Sequence, residues 1–239
     1  MDSEREAVVA QLVANLEQAR SLRQVPDSAG DTVVSRMHLR AWQSARLART
    51  YAGLLRSERF GAAAAFFLSD LYGPKDFSAR DADTARLVPL MARTLPVAGL
   101  QTISSALELD ALSEQLDAGM VNAMHRSGVR SIDGAAYAAA YRSVGERPSR
   151  QRQITLIGDI GNALDRLTRR SLVRGALRIM REPARLAGMS AIQEFLERGF
   201  TAFRKMGSAD EFLETIVTRE AQLSAALFAG ELPADFVAV

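Results

Sequence analysis

Apolar residues recur along this chain at intervals of three and four, the spacing of one face of an α-helix. Val8, Val9, Leu12, Val13, Leu16 and Leu22 mark a first helix over residues 3–24, which Val25-Pro26 ends. A loop of turn formers fills 27–32. Met37, Trp42, Leu47, Tyr51, Leu54 and Leu55 mark a second helix over 33–56. Ala62 to Leu71 reads as a third, stopped by Gly73-Pro74, because glycine suits the left-handed position after a helix end and proline cannot continue it. Ser78 is an N-cap for a helix running through Leu87, Leu90 and Met91 to about Thr94.

Beyond Pro96, the stripe Ile103, Leu107, Leu109, Leu112, Leu116, Met120 and Val121 predicts a long helix to about Arg126, with an interruption near Gly119. Asp133 caps an alanine-rich helix that ends at Gly145. A segment from Pro148 carries Ile154, Ile157, Ile160, Leu164, Leu167, Leu172 and Leu177 to Met180. Ser190 with Gln193, and Ser208 with Glu211, have capping-box spacing for two last helices, and the tail from about 230 is expected to be loose. No stretch alternates as a strand would, and no repeat has a solenoid period. The pattern predicts an all-α, single-domain multi-helix bundle of about eight or nine helices over residues 1–239.

The junction of the third and fourth helices concentrates Asp70, Tyr72, Lys75, Asp76, Arg80, Asp81 and Arg86. A carboxylate in the last turn of a helix meets the negative end of the dipole, so Asp70 calls for a cation, with Arg80 or Arg86 nearest. This polar corner reads either as a structural helix junction, the favoured reading, or as a site in which arginines position carboxylates and a phenol. The segment FFLSDLYGPKDFSARD, with Arg86 and Leu95-Pro96, resembles the FFLxDLYGPxDFxxRD signature of an uncharacterised family of bacterial all-helical proteins. The resemblance implies a bacterial source and a helical fold, and no catalytic role.

Composition narrows the chemistry. There is no cysteine, which excludes disulfides, zinc–thiolate sites, iron–sulfur clusters and thiol nucleophiles. The first residues are acidic and polar, unlike a signal peptide, and no run approaches a membrane span, so a soluble cytoplasmic protein is expected. His38 and His125 lie in no paired-ligand spacing and are not expected to share a metal. Glu108, Asp110, Glu114 and Asp117 cluster on the long helix, and Glu108 with Asp110 reads as a solvated face. No phosphate-binding loop, dinucleotide fingerprint or nucleophile elbow occurs. No metal and no cofactor is implied.

Between Arg142 and Arg185 stand eleven arginines against four acids. Arg166, Arg170, Arg174 and Arg178, four apart, form one anion-binding stripe if the helix is continuous. A solvated face, or pairing with acids such as those between Glu108 and Asp117, is the plainer reading. The sequence therefore favours a helical binding or regulatory protein. Its expected partners are another protein, a second copy of the chain, or a small ligand. An enzyme or ligand carrier using the Asp70–Asp81 corner comes second. Nucleic acid on the arginine stripe comes third.

Overall fold

The computed structural model describes residues 2–24, 34–68, 95–170 and 190–237, together with 88–89, 91–93, 175, 177–179, 181–182 and 185. These residues form helices and connecting turns; no strand occurs among them. The helices are α1 (Asp2–Gln24), α2 (Arg36–Thr50), α3 (Ala52–Arg56), α4 (Gly61–Phe66) and α5 (Val97–Arg126). They continue with α6 (Gly134–Val144), α7 (Arg147–Thr168), α8 (Ser190–Met206), α9 (Asp210–Ala229) and α10 (Ala234–Val237). Residues 88–89, 91–93, 175, 177–179, 181–182 and 185 are helical too, so the described residues already hold more than the eight or nine helices that the apolar pattern suggested for the whole chain. Two short pieces are additional: the predicted second helix divides at Tyr51, and the C-terminal tail contributes α10.

α5 is the spine. At 1.5 Å per residue it runs about 45 Å, and α1, α2, α6 and α7 all pack on it. Pro96 precedes its first turn in an extended conformation, and the helix continues unbroken through Gly119. A Cβ at Gly119 would come within 3.3 Å of Val144 on α6, so the small residue sets how closely α6 approaches and does not interrupt the helix.

Three apolar clusters surround this spine. Leu12 and Leu16 of α1 pack with Leu100 and Leu107 of α5 and with Met91. Trp42 of α2, Met120 and Met124 of α5, Tyr137 and Tyr141 of α6 and Leu227 of α9 form a second cluster. Phe60, Phe66, Phe67, Phe203 and Phe212 dominate a third, which joins α4, α8 and α9.

Some local expectations hold and others need correction. Asp133 caps α6, accepting from the Ala136 amide at 2.7 Å, and Gly145 closes that helix at φ 69°. The spacing of Ser208 and Glu211 does not produce a capping box. Helix α9 starts at Asp210 without a side-chain cap, while Glu211 pairs with Arg59 at 3.0 Å. The helix begun at Pro148 ends at Thr168, short of Met180. Thr168 Oγ1 donates back to the Asp165 carbonyl, and the Arg170 amide bonds Leu167 O, a tightened last turn.

Residues 231–237, expected to be loose, are docked. After Gly230, in the left-handed region at φ 89°, the chain turns back and α10 docks on α2 and α6. Phe236 is 1% exposed and packs beside Trp42 and Tyr137. A Cβ on Gly134 would collide with the Phe236 carbonyl, so glycine opens α6 where the tail crosses it. Asp235 accepts from Thr50 Oγ1 at 2.8 Å and pairs with Arg219.

Burial alone would raise the Asp235 pKa. The Thr50 and Arg219 hydrogen bonds outweigh burial and hold it below the ordinary 3.8. A depressed folded pKa contributes stability that is fully present above the unfolded value and is lost as pH falls through the folded value. Asp235→Asn should therefore flatten part of the decline in stability between about pH 5 and pH 2. Urea midpoints across that range test this; an unchanged profile in the variant would contradict the clasp.

Candidate functional site

The polar corner, Asp70, Tyr72, Asp76, Arg80, Asp81 and Arg86, lies outside the described residues, as does Arg174 of the stripe. The other candidates can be placed.

Three of the α5 acids, Asp110, Glu114 and Asp117, do not lie on a solvated face, while Glu108 stays about one-third exposed. Asp110, Glu114 and Asp117 recur at i, i+4 and i+7, and Arg36, Arg40 and Gln43 recur at the same spacing on α2. The two stripes face each other. Glu114, with a side chain only 2% exposed, receives Arg40 at 2.6 Å, Arg23 at 3.1 Å and Arg36 at 3.4 Å. Asp110 takes Arg23 at 2.6 Å. Asp117 takes Arg40 at 3.2 Å and Gln43 at 3.0 Å. Arg36 also donates to Leu22 O, one of the last carbonyls of α1.

Burial pushes the Asp117 carboxyl above the ordinary carboxylate range, against the pull of Arg40 and Gln43. Burial works to lower Arg40, yet Asp117 and Glu114 hold it above its usual value. A second buried pair ties α2 to α9. Arg46 grips Glu220 at 2.6 and 3.1 Å, and the Tyr51 hydroxyl donates to the same carboxylate at 2.7 Å. Burial, then Glu220, drives the Tyr51 phenol far up. These are locks between helices, with every carboxylate engaged.

The histidines have separate protein partners. His38 closes a capping box with Ser35 at the start of α2. His125 Nε2 lies 2.6 Å from the Val34 carbonyl, which makes it the protonated nitrogen. Among the described residues no group of three or more His, Asp or Glu is arranged to hold a metal.

Most arginines between Arg142 and Arg185 are also engaged. Arg152, which is not on the stripe, forks onto Glu108 at 2.7 and 2.8 Å. Arg169 pairs with Asp165, Arg181 with Glu197 and Arg185 with Glu182. Arg166, Arg170 and Arg178 are exposed and have no acidic partner among the described residues. Because α7 stops at Thr168, Arg166 and Arg170 end that helix and do not open a longer helical stripe.

Arg166 and Arg170 line a depression of about 190 Å³ with Gln101, Thr102 and Ser105 of α5 and with Asp159. A larger depression of about 530 Å³ lies toward the start of α7, lined by Pro148, Ser149 and Arg152, by Glu108 and Leu112 of α5, and by Gln11, Asn15 and Gln18 of α1. Positions 98, 101, 105, 108 and 112 share one face of α5, and 148, 152, 159, 163 and 166 follow one line along α7, with Arg170 just past its end. The two depressions are thus ends of one seam between antiparallel helices, bridged midway by Glu108 and Arg152. The α1 end carries satisfied carboxamides: Asn15 Nδ2 donates to Ser104 O at 3.0 Å, and Gln11 donates to Asn15 Oδ1 at 2.9 Å.

Residues 25–233 match the family described as Domain of unknown function (DUF8198). The chain belongs to that family. A comparison with curated proteins and with solved structures finds no match. The DUF8198 match takes in both helices of the seam and the two buried ion locks on α2. It leaves α1, with Arg23 and the carboxamides, and the α10 clasp outside. Among the described residues no helix is long and apolar enough to cross a membrane.

Proposed function

We propose that this DUF8198 chain is a binding module that takes an extended acidic segment of a protein partner along the α5–α7 seam. The observation that carries the reading is the pair Arg166 and Arg170. Glu108 and Arg152 at the α5–α7 contact neutralise each other, whereas these two guanidinium groups have no acidic partner among the described residues and outnumber the one carboxylate of their depression, Asp159, beside two hydroxyls and a carboxamide. Guanidinium groups recognise carboxylates through parallel N–H donors, and desolvation in a groove strengthens the contact. From residue 148 to 168, α7 spans about 30 Å at 1.5 Å per residue. An extended segment of about nine residues at 3.3 Å each covers that length. Gln11 and Gln18 at the far end suit the amides of an extended main chain. The reading takes the chain as one domain of a soluble, cytoplasmic bacterial protein, in keeping with its cysteine-free sequence.

The test is selection of a random nine-residue peptide library against the full chain, followed by affinity measurement on Arg166→Glu/Arg170→Glu. Enriched peptides should be acidic. The double reversal should weaken them at least about tenfold, with unchanged circular dichroism and with greater salt sensitivity in the native chain. Selected peptides without acidic residues, or affinity indifferent to the reversal, would overturn the proposal. So would preferential binding of single-stranded nucleic acid at physiological salt that the reversal abolishes.

A further inference from the structure

Three charged side chains of α7 stand in line along the seam. Arg152, Asp159 and Arg166 follow one another every two turns of helix, so they share one face at intervals of about 10 Å. The order is cation, anion, cation, and all three residues are exposed. Arg152 is occupied by Glu108 of α5, in the pair that bridges the seam between its two depressions. Hydrogen bonds to Glu108 hold the Arg152 guanidinium above its ordinary range, and the charge of Asp159 adds to the effect. The pair is open to water, with side chains 48% and 35% exposed, and pairs of that kind are held weakly. Asp159 forms no ion pair among the described residues and lies between the two cations.

We propose that the seam reads a charge pattern: a partner segment with two acidic residues six apart and none midway, one of the two displacing Glu108 from Arg152. This rests on the seam as the site of an acidic segment, and adds which segments it takes. From 152 to 166 the helix rises about 21 Å. An extended chain covers about 3.3 Å per residue, so about six residues separate the two acids. Six is even, so both side chains leave the same side of the extended chain and reach the seam together. A spacing of five or seven turns one of them away. At Arg152 one carboxylate replaces another, and the forked geometry that Glu108 uses is open to the newcomer. The second acid meets Arg166, with Arg170 in the same depression. Asp159 repels a carboxylate placed midway, which disfavours uniformly acidic segments.

The experiment sequences the nine-residue peptides selected on the full chain and repeats the selection on Glu108→Gln, Arg152→Gln and Asp159→Asn, with circular dichroism to confirm each fold. On the native chain, acids six apart should exceed every other spacing, and the positions between them should be depleted of acid. Arg152→Gln should erase the spacing and leave single acids that depend on Arg166 and Arg170. Glu108→Gln should bind a paired peptide, synthesised with blocked termini, about threefold more tightly than the native chain does, because the internal competitor is gone. Asp159→Asn should admit an acid midway. Acidic peptides of no fixed spacing, still lost in Arg166→Glu/Arg170→Glu, would overturn this inference and leave the acidic-segment reading standing. So would a spacing retained in Arg152→Gln, or a paired peptide that Glu108→Gln binds no more tightly. Selected peptides without acidic residues would overturn both.

Discussion

Glu114→Gln should destabilise the protein by about 3–5 kcal/mol, the usual cost of leaving buried charges without their partner. Three guanidinium groups, from Arg23, Arg36 and Arg40, converge on this one carboxylate. Glutamine keeps the volume and one acceptor oxygen but removes the charge and offers an amide to cations. Asp110 and Asp117 remain, but they already share Arg23 and Arg40 with Glu114 and do not replace its charge. The control is Glu108→Gln. Glu108 pairs with Arg152 in comparable geometry, but the two side chains are 35% and 48% exposed, and such pairs contribute about 0–1 kcal/mol. Urea denaturation with unchanged slope would measure both. Equal losses in the two variants would mean that α5 does not bury Glu114. The charge is costly to break without being the best possible filling. Replacing Glu114 and its arginines together with apolar residues of similar size could be neutral or stabilising, so the network argues for a specific register of α1, α2 and α5 more than for net stability.

The helices of this fold were legible because their caps and apolar stripes are local. Pro96, Asp133 and Gly145 act within a few residues of themselves, and the sequence around them carries the whole signal. The charge pairing was half legible. The stripe Asp110, Glu114, Asp117 and the stripe Arg36, Arg40, Gln43 have matching spacing and opposite sign. Charge by itself suggests a solvated face, and only the partner helix, some seventy residues away in sequence, turns that face inward. A search for complementary i, i+4, i+7 stripes on different helices would have found it. The seam was less legible, since Arg166 and Arg170 were visible as cations while Gln101, Thr102 and Ser105 carry no pattern of their own. That Arg166 and Arg170 have no acidic partner among the described residues is a tertiary fact. The C-terminal clasp had no local signal at all. A four-residue helix has no usable periodicity, and Asp235 and Phe236 gain meaning only from Thr50, Arg219, Trp42 and Gly134.

That clasp yields a second large effect. Phe236→Ala should cost about 3–5 kcal/mol, the range for removing a buried aromatic side chain. Phe236 is 1% exposed, with ring centroids 5.8 Å from Trp42 and 5.5 Å from Tyr137, and Arg46 sits over its face at 5.3 Å. Its removal opens a space between α2 and α6, and the short α10 has few other apolar contacts with which to stay docked. Arg219 and Thr50 then lose Asp235 as the segment leaves. The neighbouring Val237→Ala is the control: Val237 is 65% exposed, and substitutions at such positions fall within about 0.5 kcal/mol. The chain has one tryptophan, so its fluorescence reports on this contact directly. Trp42 is buried and stacked on Tyr137 at 4.5 Å, and its emission should shift to the red in Phe236→Ala but not in Val237→Ala. Equal stability of the two variants, with unshifted emission, would mean that the tail does not close over α2 and α6. A red shift without a loss of stability would also contradict the clasp, because water would then reach Trp42 without the energetic cost that burying Phe236 implies.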